Sequence, residues 1–316
     1  MSAVIGIVPL ALAAIALAAR YVPNTDLVVL ACATLAPYLM LGAPVSLIVF
    51  ALQRDWSLAA TAAVVTIAAV VVQLPWYVRS AASTPGVRVR VISANLRYGR
   101  ADANAVVNMA CAHADILAVQ ELTPEKAGMV SAGLEEAFPF QVLRACDGPA
   151  GVGIWSRYPI AASEVDDDFW LGLVAAKVSI PEVAAEATVV VVHLSAPWPD
   201  PIAGWRTDLD RMAETLPQLA GNGDGAVIVA GDFNATRDLR EFRRLLRGGY
   251  RDAAEQAGAG LTRTHPADVP VLPPLFAVDH VLTRGCTATS VHTLDIAGSD
   301  HRALVSVIEI SRTTPN

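Results

Sequence analysis

Cysteine is scarce, long stretches carry no charge of either sign, and the polar residues at strand ends include no serine or cysteine nucleophile motif. Cys32, Cys111, Cys146 and Cys286 share no metal-ligand spacing, which excludes a cysteine-based metal site. Cys32 lies in an apolar run, and the other three cannot all pair within the chain, so the cysteines leave the redox compartment open. No internal repeat is present, so a solenoid is excluded. An excess of basic charge is missing too. After residue 86 the chain carries 20 basic against 28 acidic residues, a poor non-specific polyanion binder, which argues against a nuclease. Before it, only Arg20, Arg54 and Arg79 face Asp26 and Asp55.

What remains is apolar. The 316 residues are 54% hydrophobic with mean hydropathy +0.45, and they allow two ordinary domains or one large domain plus an attachment. Three runs in the first 79 residues (about 3–19, 27–52 and 56–78) read as a transmembrane region. The second is interrupted by Pro37, Gly42 and Pro44. The third is flanked by Trp56 and by Trp76-Tyr77, with Arg54 and Arg79 outside, which suits a membrane interface. The first run is the shortest. It lacks the basic region that a signal peptide needs, so it reads as a third span. Three spans place the termini on opposite sides of a cell membrane, and the arginines hardly bias the orientation. Residues 80–86 (Ser-Ala-Ala-Ser-Thr-Pro-Gly) read as a linker.

From Val87 to residue 312 the texture is that of an α/β layered domain. Strands are expected at 87–92, 115–119, 151–155, 187–192, 227–230, 277–282 and 303–310, with helices at 101–113, from Thr123, and at 202–219 and 238–246. Val227-Ile228-Val229-Ala230 is a buried strand, and Gly231 closes it. Asp232 and Asn234 are two residues apart on extended chain and face the same way. They suit a metal, a water or a phosphate, and equally an Asx-type turn.

Other strands end alike. Asn95, Glu121, His193, Asp279, Asp300 and His301 each follow or interrupt a β-run. Singly, each has a structural explanation: a turn residue, a helix cap or a satisfied core histidine. Together they form a set of carboxylates, amides and imidazoles. The oxygens suit Mg²⁺ or Mn²⁺. The imidazoles suit moving a proton or stabilising a phosphoryl oxygen.

Asn95 in Ser-Ala-Asn-Leu, Glu121 in Val-Gln-Glu, His193 in Val-Val-His-Leu, Gly-Asp-Phe-Asn at 231–234, Asp279 in Val-Asp-His-Val and Ser-Asp-His at 299–301 resemble, in order, the endonuclease/exonuclease/phosphatase superfamily. Its members include DNase I-like nucleases, neutral sphingomyelinases and inositol-phosphate phosphatases. The resemblance covers about residues 87–312. It implies a four-layer α/β sandwich and a Mg²⁺-dependent (or Mn²⁺-dependent) hydrolase. By the same resemblance, Glu121 is the principal metal ligand, with Asn95 and Asp300 close to the metal. Asp232 activates the attacking water, and Asn234 holds that water or a phosphate oxygen. His301, positioned by Asp279, stabilises the phosphoryl charge, and His193 contacts another oxygen.

Three spans ahead of such a domain resemble a narrower group, the membrane proteins related to the teicoplanin-resistance protein. That resemblance implies an outward-facing catalytic domain and a lipid-linked pyrophosphate substrate such as undecaprenyl pyrophosphate. The partners it implies are the lipid bilayer and a phosphate lipid. A sphingomyelinase-like or inositol-lipid phosphodiesterase and a nuclease are the alternatives, and no protein partner is inferable. Two apolar loops, Ala196–Pro199 and Val269–Phe276, could meet acyl or prenyl chains or pack on the domain itself. Arg240, Arg243, Arg244 and Arg247 form a basic helical face, to be solvated or to meet anionic headgroups.

Overall fold

A computed structural model describes residues 2–79, 86–220 and 225–312. The expected linker lies outside these residues except for Gly86. The chain begins with helices α1 (Ser2–Ala19), α2 (Leu27–Thr34), α3 (Ala36–Leu39), α4 (Gly42–Gln53) and α5 (Trp56–Gln73), closed by a single 3-10 turn, Leu74–Trp76. Two stretches, Ala36–Gln53 and Trp56–Trp76, are long and apolar enough to cross a membrane, whereas Ile5–Ala19 is shorter.

The expected second span therefore needs correction. It begins near Ala36 rather than at 27. Asp26 caps α2 by accepting the Val28 and Val29 amides, and Pro37 opens the next helix, where its missing N–H cannot continue the previous one. Leu30 and Ala33 of α2 join the buried cluster of the sandwich that contains Trp205, Leu209 and Phe242. Residues 27–34 thus pack against the sandwich.

Within the helical layer, contact is made by small residues. Ala13, Ala43, Ala59 and Ala62 pack around Leu10 and Phe50. The Ser46 hydroxyl donates to the Gly6 carbonyl across the helices at 2.8 Å. A Cβ on Gly42 would lie 2.5 Å from the Pro9 carbonyl oxygen, so only glycine permits this approach.

The remaining elements are β1 (Val87–Asn95), α6 (Ala103–His113), β2 (Ile116–Gln120), α7 (Pro124–Leu134), β3 (Phe140–Arg144), β4 (Val152–Ser156), β5 (Ile160–Asp166), β6 (Leu173–Val178), β7 (Ala187–His193), α8 (Ile202–Ala220), β8 (Val227–Asp232), α9 (Arg240–Leu245), β9 (Arg251–Asp252), α10 (Ala253–Ala257), β10 (Asp279–Arg284), β11 (Cys286–Asp295) and β12 (Arg302–Ile310). They form two six-stranded sheets, ordered β11-β12-β1-β2-β4-β3 and β5-β6-β7-β8-β10-β9. One core lies between the sheets, with Val91, Ile154, Val191, Ile228 and Leu304 among its residues. Helices α6 and α7 cover the outer face of the first sheet, and α8 and α9 cover that of the second. This is the expected four-layer sandwich. Strands β3, β5, β6, β9 and β11 were not foreseen. Most carry polar or half-exposed residues, so they lack the continuous apolar signal of the central strands.

Each sheet is mixed in the same way. A parallel pair sits in its middle, β1 with β2 and β7 with β8, and the other pairings are antiparallel. Parallel neighbours end at the same edge, so Asn95 lies opposite Gln120, and His193 opposite Asp232. Antiparallel β10 begins there, pairing Asp279 with Asp232. Chain ends that are far apart in sequence thus meet at one rim.

The helical layer is fixed to the sandwich by buried polar groups. The Asn24 amides donate to the Glu241 carboxylate, the backbone one at 2.9 Å. Gln73 Nε2 donates to Asp238 Oδ1 at 2.8 Å, and Arg237 Nη2 donates to Gln73 Oε1 at 2.7 Å. Arg20 pairs with Asp238. The Arg237 guanidinium lies 4.5 Å from the centre of the Trp76 ring. From the arginine face of α9, Arg243 contributes as well by donating to the Arg20 carbonyl, whereas Arg244 pairs with Asp210 of α8 within the sandwich. Only Arg240 and Arg247 of that face are exposed. It is in part a docking surface.

Candidate active site

Asn95, Glu121, His193, Asp232, Asn234, Asp279 and His301 form one bonded group at the rim. The Asn95 amide donates to Glu121 Oε1 at 3.0 Å and to Asp232 Oδ2 at 3.1 Å, joining the two sheets. Its own oxygen accepts the Arg97 backbone amide, which fixes which way the amide points. Glu121 Oε2 accepts the Tyr98 amide at 2.5 Å. Glu121 and Asn234 both take positive φ, 56° and 48°. For asparagine this is tolerated; for glutamate it costs on the order of 1 kcal/mol and recurs where geometry serves function.

Gly231 is required by packing. A Cβ there would meet the Val192 carbonyl oxygen at 1.9 Å, so the close approach is to the neighbouring strand β7. Asp232 Oδ1 accepts the Asn234 amide at 2.8 Å, which curls the chain and turns the Asn234 side chain onto the Leu194 carbonyl. Trp205 Nε1 donates to the Asn234 carbonyl and holds the turn from behind.

The histidines face Asp232 from two sides. His193 Nδ1 sits 3.0 Å from the Pro149 carbonyl and must carry hydrogen there. That leaves Nε2 toward the site, 3.7 Å from Asp232 Oδ2. His301 Nδ1 donates to Asp279 Oδ2 at 2.8 Å, and its Nε2 is 3.7 Å from Asp232 Oδ2. Burial works against charge on His301, but the Asp279 and Asp232 carboxylates outweigh it and lift the ring to about 10. Burial also disfavours charge on Asp279, yet His301 and the hydrogen bonds hold its carboxyl below the usual range. Ser299 positions this loop by donating to the Asn95 carbonyl at 2.7 Å and accepting the His301 amide.

Asp300 stands apart from this group. Its carboxylate is 3.6 Å from Arg97 Nε, and the same arginine pairs with Asp268 at 2.7 Å. Two places could hold a cation. Asp232, Asp279 and His301 offer ligand atoms within 4.8 Å of one another. A charged imidazole already lies between those carboxylates, so a metal there would meet like charge. Glu121 fits better: it is buried beside a second carboxylate and an amide, and its oxygens receive only amide hydrogens. That is a hard-cation donor set next to an imidazolium suited to an anion.

His265 was not foreseen, because it lies in an irregular segment with no strand to mark it. Its ring packs 4.5 Å from that of His301, and burial and His301 push its pKa down. Its backbone pairs with Phe276, which seats the base of the Val269–Phe276 loop beside the site. Val269, Val271 and Leu272 remain exposed, as does Trp198 (71%) in the loop after His193. His280 was also missed as a brace. Its Nδ1 bonds Asp252 at 2.6 Å, and its Nε2 bonds the carbonyl of Ala235, the residue after the Asp232–Asn234 turn.

Residues 92–301 match the model of the Endonuclease/Exonuclease/phosphatase family. The chain belongs to that family. Membership indicates a phosphodiesterase, phosphatase or nuclease-type hydrolase, and members depend on a divalent metal. No curated protein matches the chain significantly by sequence. Among solved structures it is similar to D. rerio TDP2 complexed with a single-strand DNA product, at 17% identity and TM-score 0.58 over 70% of this chain and 99% of that one. It is similar to the 3' phosphatase NExo from Neisseria bound to a product DNA hairpin, at 18% identity and TM-score 0.57 over 69% of this chain and 98% of that one. A family protein from Bacteroides thetaiotaomicron matches at 15% identity and TM-score 0.57 over 72% of this chain and 100% of that one. These likenesses concern the fold, and they span the sandwich.

Proposed function

We propose that this family member is a membrane-anchored hydrolase of a lipid-linked phosphate, undecaprenyl pyrophosphate being the best candidate, with its catalytic domain on the outer side as in the teicoplanin-resistance-related proteins. The observation that carries this reading is the attachment of an apolar helical layer to the sandwich through buried polar groups, beside an active-site rim with exposed valines and leucine. A soluble phosphate or a nucleic acid needs no such layer.

In this reading Glu121 would hold Mg²⁺ or Mn²⁺, with Asn95 and Asp300 close to it. Bound there, the metal supplies charge neutralisation to the phosphate. Asp232 accepts the proton of the attacking water, whose oxygen forms the new bond to phosphorus as the bond to the leaving oxygen breaks. Asn234 orients that water. His301, held by Asp279, donates through Nε2 to a non-bridging oxygen, and His193 contacts another.

The nuclease reading is favoured by one observation: two of the similar structures hold DNA. Against it stands the acidic balance after residue 86. The test is product release by the purified full chain with Mg²⁺ on undecaprenyl pyrophosphate, on sphingomyelin or phosphatidylinositol, and on DNA. Turnover of the pyrophosphate above the others is expected. Rapid DNA cleavage without lipid turnover would overturn the reading.

A further inference from the structure

The helical layer carries a groove of about 220 Å³ between α3, the start of α4 and the last two turns of α5. Pro37, Met40, Leu41, Thr66, Val70 and Tyr77 line it, and its wall is mostly apolar. Leu41 and Val70 are 63% and 52% exposed, so the groove opens sideways from the layer. The Thr66 hydroxyl donates to the Ala62 carbonyl of its own helix, so the groove turns polar toward Gln73. There Gln73, which also lines it, bonds both Asp238 and Arg237.

That end lies against segments that run on to the catalytic rim. Arg237 is three residues beyond Asn234 in the chain. Tyr77 packs on Gly260, where a Cβ would lie 2.7 Å from its ring. The Tyr38 hydroxyl donates to the Leu275 carbonyl at 2.6 Å. The loop from Gly260 to Phe276 thus touches the groove wall on one side and, through His265, the His301 ring on the other.

We propose that this groove binds the hydrocarbon chain of the phosphate lipid whose headgroup enters the active site; the assignment rests on the lipid-phosphate reading above. The occupant is a chain, because the walls offer almost no hydrogen-bonding groups until Gln73. It belongs to the substrate, because the polar end leads into the segments that carry Asn234 and His265. The groove would therefore set chain-length preference, while the rim recognises the phosphate.

The experiment compares kcat/KM for undecaprenyl pyrophosphate with that for geranyl pyrophosphate in detergent micelles, using the full chain. Leu41→Trp and Val70→Trp fill the groove from its open side. Each should lower the long-to-short ratio about tenfold, the effect of displacing roughly two methylenes from apolar contact. Val64→Trp, exposed on α5 outside the groove, should keep the wild-type ratio. Because the ratio is internal to each sample, loss of folded protein does not mimic the effect. Wild-type preference for the long chain with unchanged ratios in both groove variants overturns the groove and leaves the lipid-phosphate reading intact. Absence of lipid turnover by the wild type overturns both. As a second measurement, an alkyl phosphate carrying a diazirine on its chain should label peptides containing Leu41 or Val70. Labelling only elsewhere overturns the assignment.

Discussion

The sandwich and the helical layer treat valine in opposite ways. Val189 to Val192 in β7 are wholly buried, whereas Val64, Val70 and Val71 in α5 are more than half exposed. In the sandwich each such side chain contributes roughly 1.5–3 kcal/mol by leaving water. In the helical layer the helices touch mainly through alanine, glycine and serine around Leu10 and Phe50, and many of the other large side chains point outward. A layer built this way needs an apolar surrounding, and in our reading that surrounding is lipid. Between the two regions both kinds of contact occur. Leu30 and Ala33 join the apolar cluster of the sandwich, and Arg20, Asn24, Gln73, Arg237, Asp238 and Glu241 add buried polar contacts that fix geometry.

The comparison can be broken first at the site, which belongs to the sandwich alone. Asp232→Asn should lower kcat by about 10²–10³ with little change in unfolding temperature, measured as phosphate release. An unchanged rate would remove Asp232 from the chemistry. Chelation should abolish turnover, and Glu121→Gln should raise the Mg²⁺ concentration for half-maximal rate by at least about tenfold.

The junction comes next. Asp238→Ala strips the partner from buried Arg20 and the acceptor from Gln73 Nε2, and should destabilise the full chain by about 3–5 kcal/mol in detergent, read by thermal or denaturant unfolding. A loss below about 1 kcal/mol would mean the two regions are not held there. Gly231→Ala drives a methyl into the Val192 carbonyl and should cost about 1–3 kcal/mol with reduced turnover.

The pH profile tests the imidazolium. His301 is raised from 6.5 to about 10, so its favourable contribution is whole below about 6.5 and is lost as pH rises through about 10. The rate should hold across neutral pH and fall on an alkaline limb near 10, and Asp279→Asn should draw that limb toward neutrality. A limb unmoved by Asp279→Asn would detach it from His301. The smallest effect belongs to the open face of the helices. Ile67→Ser should change sandwich stability by no more than about 0.5 kcal/mol while weakening retention in vesicles on flotation.

Much of this was legible in the residues themselves. The central strands read as uninterrupted β-branched runs, and polar residues at their ends stood out because every neighbour was apolar. The ordered motifs around Asn95, Glu121, His193, Asp232 and His301 carried the family before any contact was known. The apolar runs announced a helical layer because apolarity is a local property. Local pattern could not show that Asn95 bridges two carboxylates from different sheets, because two parallel strand pairs must first end at one rim. Nor could it show that residues 27–34 turn onto the sandwich, that Arg243 serves docking, or that His265 reaches His301 from an irregular segment. Sequence fixes which side chains seek burial or a partner. Which partner each one finds depends on how distant segments close on one another, and that is a property of the packed chain.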